Sequence, residues 1–128
     1  MMTRISSREF PLVTVRIGHR MVFCEHPTSN KDRENGLKGR PFLFDHKGMI
    51  FDTYGRYQPI FTMRDVIFDL EAIFVGTNYL VQDVVPMRKM DGSRAYTTPK
   101  RVPIKWVIEV NSGWSQKNGV KIGDKVTL

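Results

Sequence analysis

The sequence predicts a mainly β protein, a small barrel or sandwich of about seven to nine short strands with one or two short helices. Two observations favour this class. Short segments with the apolar–polar alternation of half-buried strands recur along the chain, and glycine, asparagine or proline residues separate them. The length of 128 residues is that of a single domain, so we expect residues 1–128 to share one fold.

The first two strands form a predicted hairpin. Residues 11–17 alternate apolar and polar side chains, and residues 20–25 form a second strand-like segment. Gly18 and His19 lie between them, and glycine at the first of two loop positions is typical of a type II′ turn. The two segments are therefore expected to pair with each other.

Further strands are predicted from apolar or alternating segments bounded by turn residues. They span residues 48–51, 60–64, 70–75, 79–85, 104–110 and 125–128. Two short helices complete the prediction. Ser29 and Gly36 have the positions of a cap and a stop for the first helix. Asn111 or Ser112 is the predicted cap of the second, which runs through residues 114–117.

Composition and cysteine content exclude several classes of protein. Hydrophobic residues make up 41% of the chain and charged residues 26%, which is too apolar for a disordered protein. Cys24 is the single cysteine, so no intrachain disulfide can form. Residues 1–8 lack the pattern of a secretory signal, and no apolar run has the length of a membrane span. We expect a cytoplasmic protein, or one incorporated in a particle assembled there, such as a virion.

Positive charge concentrates in one segment of the chain. The net charge of +7 favours an acidic or anionic partner. Residues 86–103 hold five cations against the single acid Asp91. Asp91-Gly92 is the preferred pair for a type I′ turn, and the prolines at either end of the segment resist sheet pairing. We therefore expect a basic hairpin arm or a long loop within the domain.

This basic segment is the first candidate binding surface. Basic residues beside an aromatic ring hold phosphates and stack on bases, and the same residues suit an acidic neighbour in an assembly. A solvated loop without a binding function is the alternative. The candidate residues for a protein partner, a nucleic acid or another polyanion are Arg88, Lys89, Arg94, Tyr96, Lys100 and Arg101.

Four stretches of the sequence carry a family pattern. Residues 32–40 read D-R-E-N-G-L-K-G-R, and residues 48–51 read G-M-I-F. Residues 61–75 contain F-T-M-R and then L-E-A-I-F-V, and residues 107–124 contain V-I-E-V-N-S-G-W and then G and G-D. In this order and spacing they resemble the uncharacterised family called domain of unknown function 192. The resemblance implies a compact, mainly β fold with small helices, and it implies no biochemical function.

The chain departs from the family pattern around the third stretch. The departures there and in the first stretch are Thr62 for tryptophan, Asp65-Val66 for Asn-Thr, Asp69 for proline, Glu71 for aspartate and Lys38 for methionine. If the family binds a ligand along this strand, much of that site has changed here. The departures therefore favour a repurposed structural role over inherited small-molecule binding.

A second candidate site nevertheless lies in the third stretch. The resemblance implies that this strand belongs to the part of the family pattern that the chain matches best. A small ligand would bind there in a pocket lined by Phe61, Met63, Arg64 and Glu71. The alternative, which we favour, is a structural ion pair between Arg64 and Glu71.

The cysteine, histidine and tryptophan residues are given structural interpretations. Cys24, Glu25 and His26 are possible metal ligands, and His19 and His46 are the only other histidines, but a zinc site needs three or four converging ligands with a recognisable spacing. Cys24 also lies in an apolar run, which favours a buried thiol over a nucleophile. Trp106 and Trp114 have the character of core anchors. We assign no catalytic residue, metal ligand or cofactor.

Three hypotheses for function follow. The first is a non-catalytic structural or interaction protein, an accessory subunit of a larger assembly such as a virion or nucleoprotein particle. The second is a module that binds a small ligand, and the third is nucleic-acid binding by the basic segment. An enzyme ranks last, because no nucleophile, base and stabilising group can be placed together.

Overall fold

A seven-stranded sheet with two short helices forms the fold, so the predicted mainly β class is confirmed. The computed structural model describes residues 11–128, and the expectation about a signal at residues 1–8 lies outside them. Neither helix in the described part of the chain is long and apolar enough to cross a membrane. The elements are β1 (Leu12–Ile17), β2 (Arg20–Glu25), α1 (Asn30–Asn35), β3 (Lys47–Tyr57), β4 (Leu70–Gly76), β5 (Val81–Met87), β6 (Pro103–Asn111), α2 (Trp114–Lys117) and β7 (Val126–Thr127).

The strands follow the order β5-β4-β6-β3-β2-β1-β7 across the sheet. Neighbouring strands are antiparallel except β2 and β3, which run parallel. The two ends of the sheet approach each other, because Val81, the first residue of β5, bonds to the residues just before β7. The Val81 amide donates to the Asp124 carbonyl and the Gly123 amide donates to the Val81 carbonyl, each at 2.8 Å. The sheet is therefore strongly curved, although it does not close into a continuous barrel.

Several elements form where local sequence signals predict them. β1 and β2 make the predicted hairpin, with Gly18 at φ 59° in its turn. Ser29 caps α1 by accepting a hydrogen bond from the Asp32 amide at 3.1 Å, and Gly36 follows the last helical residue. Gly18 and Gly36 adopt the positive φ that the turn and the helix end require, and the Ser29 hydroxyl accepts a free amide of the first helical turn.

Both prolines that bound the basic segment belong to strands and pair with a neighbouring strand, so the prediction that they resist sheet pairing is wrong. Pro86 belongs to β5 and pairs with Glu71, while Pro103 is the first residue of β6. Proline is tolerated at the first position of a strand and on an edge strand, where one side of the backbone needs no partner. β5 is an edge strand of the sheet, which explains the exception at Pro86.

Apolar side chains pack on both faces of the sheet. The first core contains Trp106 and Trp114, which are 7% and 4% exposed, so the prediction that they anchor the core is confirmed. The second core lies on the opposite face and contains Met63 and Tyr96. Its strand residues include Met49, Phe51, Leu70, Ala72, Phe74, Met87, Ile104 and Val107.

Two long connections cover the second core. Residues 58–69 join β3 to β4, and residues 88–102 join β5 to β6. The predicted strand at residues 60–64 is wrong, since only Phe61 forms an isolated bridge there, with Tyr96. Met63 is fully buried and Asp65 has a φ of 62°, so the chain turns across the face of the sheet instead of pairing along its edge.

A glutamate lies buried in the middle of the sheet. Glu109 of β6 pairs with Met49 of β3 and with Ala72 of β4. Because directly paired residues share a face, the Glu109 side chain lies on the side of the second core. It is only 5% exposed, and burial raises the pKa of its carboxyl to about 8. Glu109 is therefore mainly protonated at neutral pH.

We predict that Glu109 makes the folded state less stable as the pH rises. Between the ordinary pKa of 4.5 and about 8 the folded chain keeps a proton that the unfolded chain loses. Unfolding then releases this proton, so stability falls through this window and levels off above it. Glu109→Gln should remove this contribution, and its stability relative to wild type should rise by on the order of a few kcal/mol between pH 5 and 8.

Urea unfolding of both proteins at several pH values measures this difference. The exposed residue Glu34 provides a matched control, since Glu34→Gln should leave the pH dependence of stability unchanged. A constant difference between wild type and Glu109→Gln across the window would contradict the prediction.

Candidate partner-binding groove

The basic segment forms a loop, here called the basic loop, at residues 88–102 between β5 and β6. Its two halves do not pair as strands, so of the two predicted forms the loop is found and the hairpin is not. The predicted type I′ turn at Asp91-Gly92 is wrong, because positive φ occurs at Met90 (59°) and at neither turn residue. The cause is a backbone hydrogen bond of the Met90 amide to the Val66 carbonyl at 2.8 Å, which binds the loop to another segment.

Tyr96 anchors the basic loop to the second core. Its backbone exchanges two hydrogen bonds with Phe61, at 2.8 and 2.9 Å, and its side chain is buried. Its hydroxyl donates to Asp91 Oδ2 at 2.8 Å and accepts from the Arg88 amide at 3.1 Å. One phenol group therefore joins the start of the loop to its middle.

Other contacts tie the loop to the connection that precedes β4. Arg64 Nη2 donates to the Gly92 carbonyl at 3.1 Å, and the Lys89 amide donates to Asp69 Oδ1 at 2.8 Å. The Thr97 hydroxyl donates to the Pro59 carbonyl at 2.7 Å. These bonds place the backbone of the basic loop in a defined position above the sheet.

An open groove of about 510 Å³ lies beside the basic loop. The end of β5 forms one wall, the basic loop a second, and the residues next to β4 and β6 close its end. The lining residues are Asp69, Val85, Pro86, Met87, Arg88, Arg94, Ala95, Tyr96, Thr97 and Ser112.

Two arginines give the groove its positive charge. Arg88 and Arg94 are exposed, and the Arg94 guanidinium lies 5.5 Å from the centre of the Tyr96 ring. Asp69 is the only acid in the lining, and one of its oxygens accepts the Lys89 amide. The hydrogen bond from Tyr96 lowers the pKa of nearby Asp91, with smaller contributions from Ser93 and Arg94. Asp91 therefore stays ionised as the partner of the Tyr96 hydroxyl.

The structure brings together three of the six partner-binding candidates, Arg88, Arg94 and Tyr96. Lys89 and Arg101 are exposed but do not line the groove. Lys100 has a different role, because its ammonium group donates to the Gln82 carbonyl in β5. It therefore helps to close the loop against the sheet.

The four small-ligand candidates do not line a common pocket. Met63 is fully buried in the second core, and Phe61 packs against the rings of Phe51 and Phe74. Arg64 lines a separate hollow of about 420 Å³ together with Asp65 and residues 90–93.

The preferred ion pair of Arg64 with Glu71 is wrong. The Glu71 carboxylate instead accepts hydrogen bonds from the Gly113 and Ser115 amides, both at 2.8 Å, at the start of α2. This distant carboxylate takes the capping role predicted for Asn111 or Ser112, since the residue before the helix is Gly113, which has no side chain to donate or accept. Arg64 bonds to Gly92 in the basic loop.

The remaining candidates have structural surroundings. Cys24 is buried in the first core, and burial raises the pKa of its thiol to about 12, which disfavours the nucleophilic thiolate. His26 Nε2 lies 2.8 Å from Asp52 Oδ2, and His46 Nδ1 accepts from the Trp114 indole at 3.2 Å. Within residues 11–128 no three potential metal ligands cluster together.

Sequence reasoning missed the groove walls supplied by Asp69, Ser112 and the end of β5. Asp69 and Ser112 meet because β4 and β6 are neighbours, and the Ser112 amide donates to the Asp69 carbonyl at 3.3 Å. No local pattern marks either residue. The one available signal is the family stretch at residues 61–75, which contains Asp69, a groove residue, and Glu71, which accepts hydrogen bonds at the start of α2.

The fold and the groove define a small domain with one curved β-sheet and a cationic surface groove. The chain belongs to the family domain of unknown function 192, described as "Uncharacterized ACR", whose model matches residues 13–128. The predicted family resemblance is confirmed. No curated protein matches the chain.

Two solved structures are similar to this fold. A protein of unknown function from Novosphingobium aromaticivorans is 26% identical with a TM-score of 0.86, covering 100% of this chain and 91% of that one. A proposed transcription regulator from Sinorhizobium meliloti is 20% identical with a TM-score of 0.79, covering 93% of this chain and 95% of that one. The second likeness concerns the fold alone.

We predict that Glu71 stabilises the fold through α2. Glu71→Ala leaves two buried or half-buried amides without their acceptor, so the free energy of unfolding should fall by about 2–3 kcal/mol. Thermal and urea unfolding measure the loss. The exposed Glu34 of α1 is the control, because Glu34→Ala should change stability by less than about 0.5 kcal/mol. Equal effects of the two substitutions would contradict the assignment.

Proposed function

We propose that the protein is a non-catalytic interaction module, an accessory subunit of a larger assembly such as a virion or nucleoprotein particle. In this proposal the groove beside the basic loop receives an acidic segment of a protein partner. The observation that carries it is the pair of exposed arginines, Arg88 and Arg94, on the walls of a groove of about 510 Å³.

The fixed backbone of the basic loop supports this proposal. Hydrogen bonds of Tyr96, Met90 and Lys89 hold the loop before any partner arrives. Binding then costs less conformational entropy than it would for a chain that must first be ordered. Arginine also binds carboxylates in a bidentate geometry that selects for acidic side chains.

The ionisable groups around the groove favour binding over catalysis. The Tyr96 hydroxyl is engaged with Asp91 and with the Arg88 amide, and Asp69 accepts the Lys89 amide. These groups hold the loop in place. The guanidinium groups of the two arginines supply positive charge and do not exchange a proton near neutral pH. We therefore propose an interface instead of a reaction centre.

Charge reversal in the groove tests this function. The double variant Arg88→Glu/Arg94→Glu should weaken binding of a fluorescein-labelled oligoglutamate peptide roughly tenfold or more, and raising the salt concentration should weaken wild-type binding too. Fluorescence anisotropy measures the affinity. Light scattering after gel filtration with native extract then shows whether wild type, and not the double variant, enters a defined complex.

Two controls carry the same charge change away from the groove. Arg101→Glu alters the basic loop outside the lining, and Arg20→Glu alters the distant β1–β2 hairpin. Combined as a double variant they match the net charge of the groove variant and should retain at least most of the binding. Equal losses in the two double variants would show that net charge alone determines binding and would overturn the proposed groove.

A further inference from the structure

An irregularity in β3 presents an exposed tyrosine. The register of β3 against β6 shifts between Asp52 and Arg56, so several residues of β3 stand opposite Lys105 alone. Within this bulge Tyr54 has a φ of 55° and Gly55 a φ of 79°. The bulge directs the Tyr54 side chain outward, where it is 70% exposed.

Positive φ at a bulky residue is a strained backbone conformation. Tyr79, in the turn after β4, has a φ of 66° and is also exposed. Such strain persists only where the surrounding structure holds it, and it occurs preferentially at binding and catalytic sites. The same end of the sheet thus holds two aromatic side chains outward in conformations that glycine or asparagine would adopt more easily.

Cations lie against these rings. The Arg33 guanidinium of α1 is 5.7 Å from the centre of the Tyr54 ring. Lys105 Nζ is 5.5 Å from the centre of Tyr79 and 5.2 Å from that of Trp106. Tyr54 and Tyr79 therefore each have a positive charge within the range of a cation–π contact.

These residues lie at one end of the sheet, here called the aromatic edge, which is made of Tyr54, Arg56, Tyr57, Tyr79 and Lys105. Arg56 pairs with Ile104 and Tyr57 with Pro103, which places β3 beside Lys105 of β6. A Cβ atom on Gly55 would lie 3.9 Å from Thr77 Cγ2, so the bulge and the turn that carries Tyr79 are also neighbours.

The charge of the aromatic edge is positive. Arg56 and Lys105 belong to it, while Asp52, two residues before Tyr54 in β3, lies 2.8 Å from His26 Nε2. The charges of α1 cancel, because Asp32 and Glu34 offset Lys31 and Arg33. Net attraction for an anion thus comes from the two strand cations.

We propose that the aromatic edge binds single-stranded nucleic acid. The rings of Tyr54 and Tyr57, which are 70% and 60% exposed, give stacking platforms for unpaired bases, and the cations at this end of the sheet attract the phosphate backbone. An acidic protein segment would use the charges but not the faces of the rings. A duplex has its bases stacked on one another and offers none to the tyrosines. This surface lies outside the groove residues, so its function is independent of the groove.

The test measures fluorescence anisotropy of a fluorescein-labelled oligo(dT) with wild type and with Tyr54→Asn. Asparagine adopts positive φ readily, so this substitution removes the ring and keeps the backbone of the bulge. Affinity should fall roughly 5- to 100-fold, the range for loss of one stacked base. Tyr54→Phe keeps the ring and should bind as wild type does. The control is Phe44→Asn, which removes an exposed ring elsewhere and should have no effect.

Salt dependence and competitors separate stacking from charge. Arg56→Gln should reduce the slope of log affinity against log salt by about 0.7, and duplex DNA or inorganic polyphosphate should compete poorly for the wild type. The groove variant Arg88→Glu/Arg94→Glu should retain oligo(dT) binding. The proposal is overturned if wild type fails to bind oligo(dT) at low salt, if Tyr54→Asn binds as tightly as wild type, or if polyphosphate or oligoglutamate competes as well as the oligonucleotide.

Discussion

The backbone of the basic loop does not pair with a strand of the sheet, and this constraint decides the shape of the candidate groove. Amide and carbonyl groups that leave water need partners, and a loop over an apolar core must find them outside a sheet. Here the partners are the Phe61 backbone, the Val66 carbonyl and the Tyr96 hydroxyl. Because Tyr96 is buried in the second core while its hydroxyl bonds to Asp91, the core and the groove wall share one residue.

The same sheet supports two different surfaces. At one end, β5 and the basic loop form a groove with Arg88 and Arg94 on its walls. Elsewhere, a bulge in β3 and the turn after β4 present exposed tyrosines beside Arg56 and Lys105. β6 pairs with both β3 and β4, so this central strand fixes the relative position of the two surfaces. In our two proposals an acidic protein segment binds the groove and single-stranded nucleic acid binds the aromatic edge, and this central strand keeps the two sites apart.

The sequence predicted the features that depend on neighbouring residues. Gly18, Ser29 and Gly36 mark a turn and helix ends because each acts on backbone groups a few positions away, and the family stretches predicted the fold. The errors arose where distant segments compete with a local preference. The Met90 bond to Val66 displaced the expected Asp91-Gly92 turn, and Glu71 caps a helix some forty positions later in place of pairing with Arg64. The groove itself required the neighbouring placement of β4 and β6, which no local pattern encodes.

Hydrogen exchange of the basic-loop amides tests the central claim, that the groove wall is fixed before a partner binds. The account predicts slow exchange at the amides of Arg88, Met90 and Tyr96, which donate to the Tyr96 hydroxyl, the Val66 carbonyl and the Phe61 carbonyl. In Tyr96→Phe the Arg88 amide should lose its protection while the Tyr96-position amide keeps it. Exchange of all three amides at the rate of an unstructured chain would contradict the account.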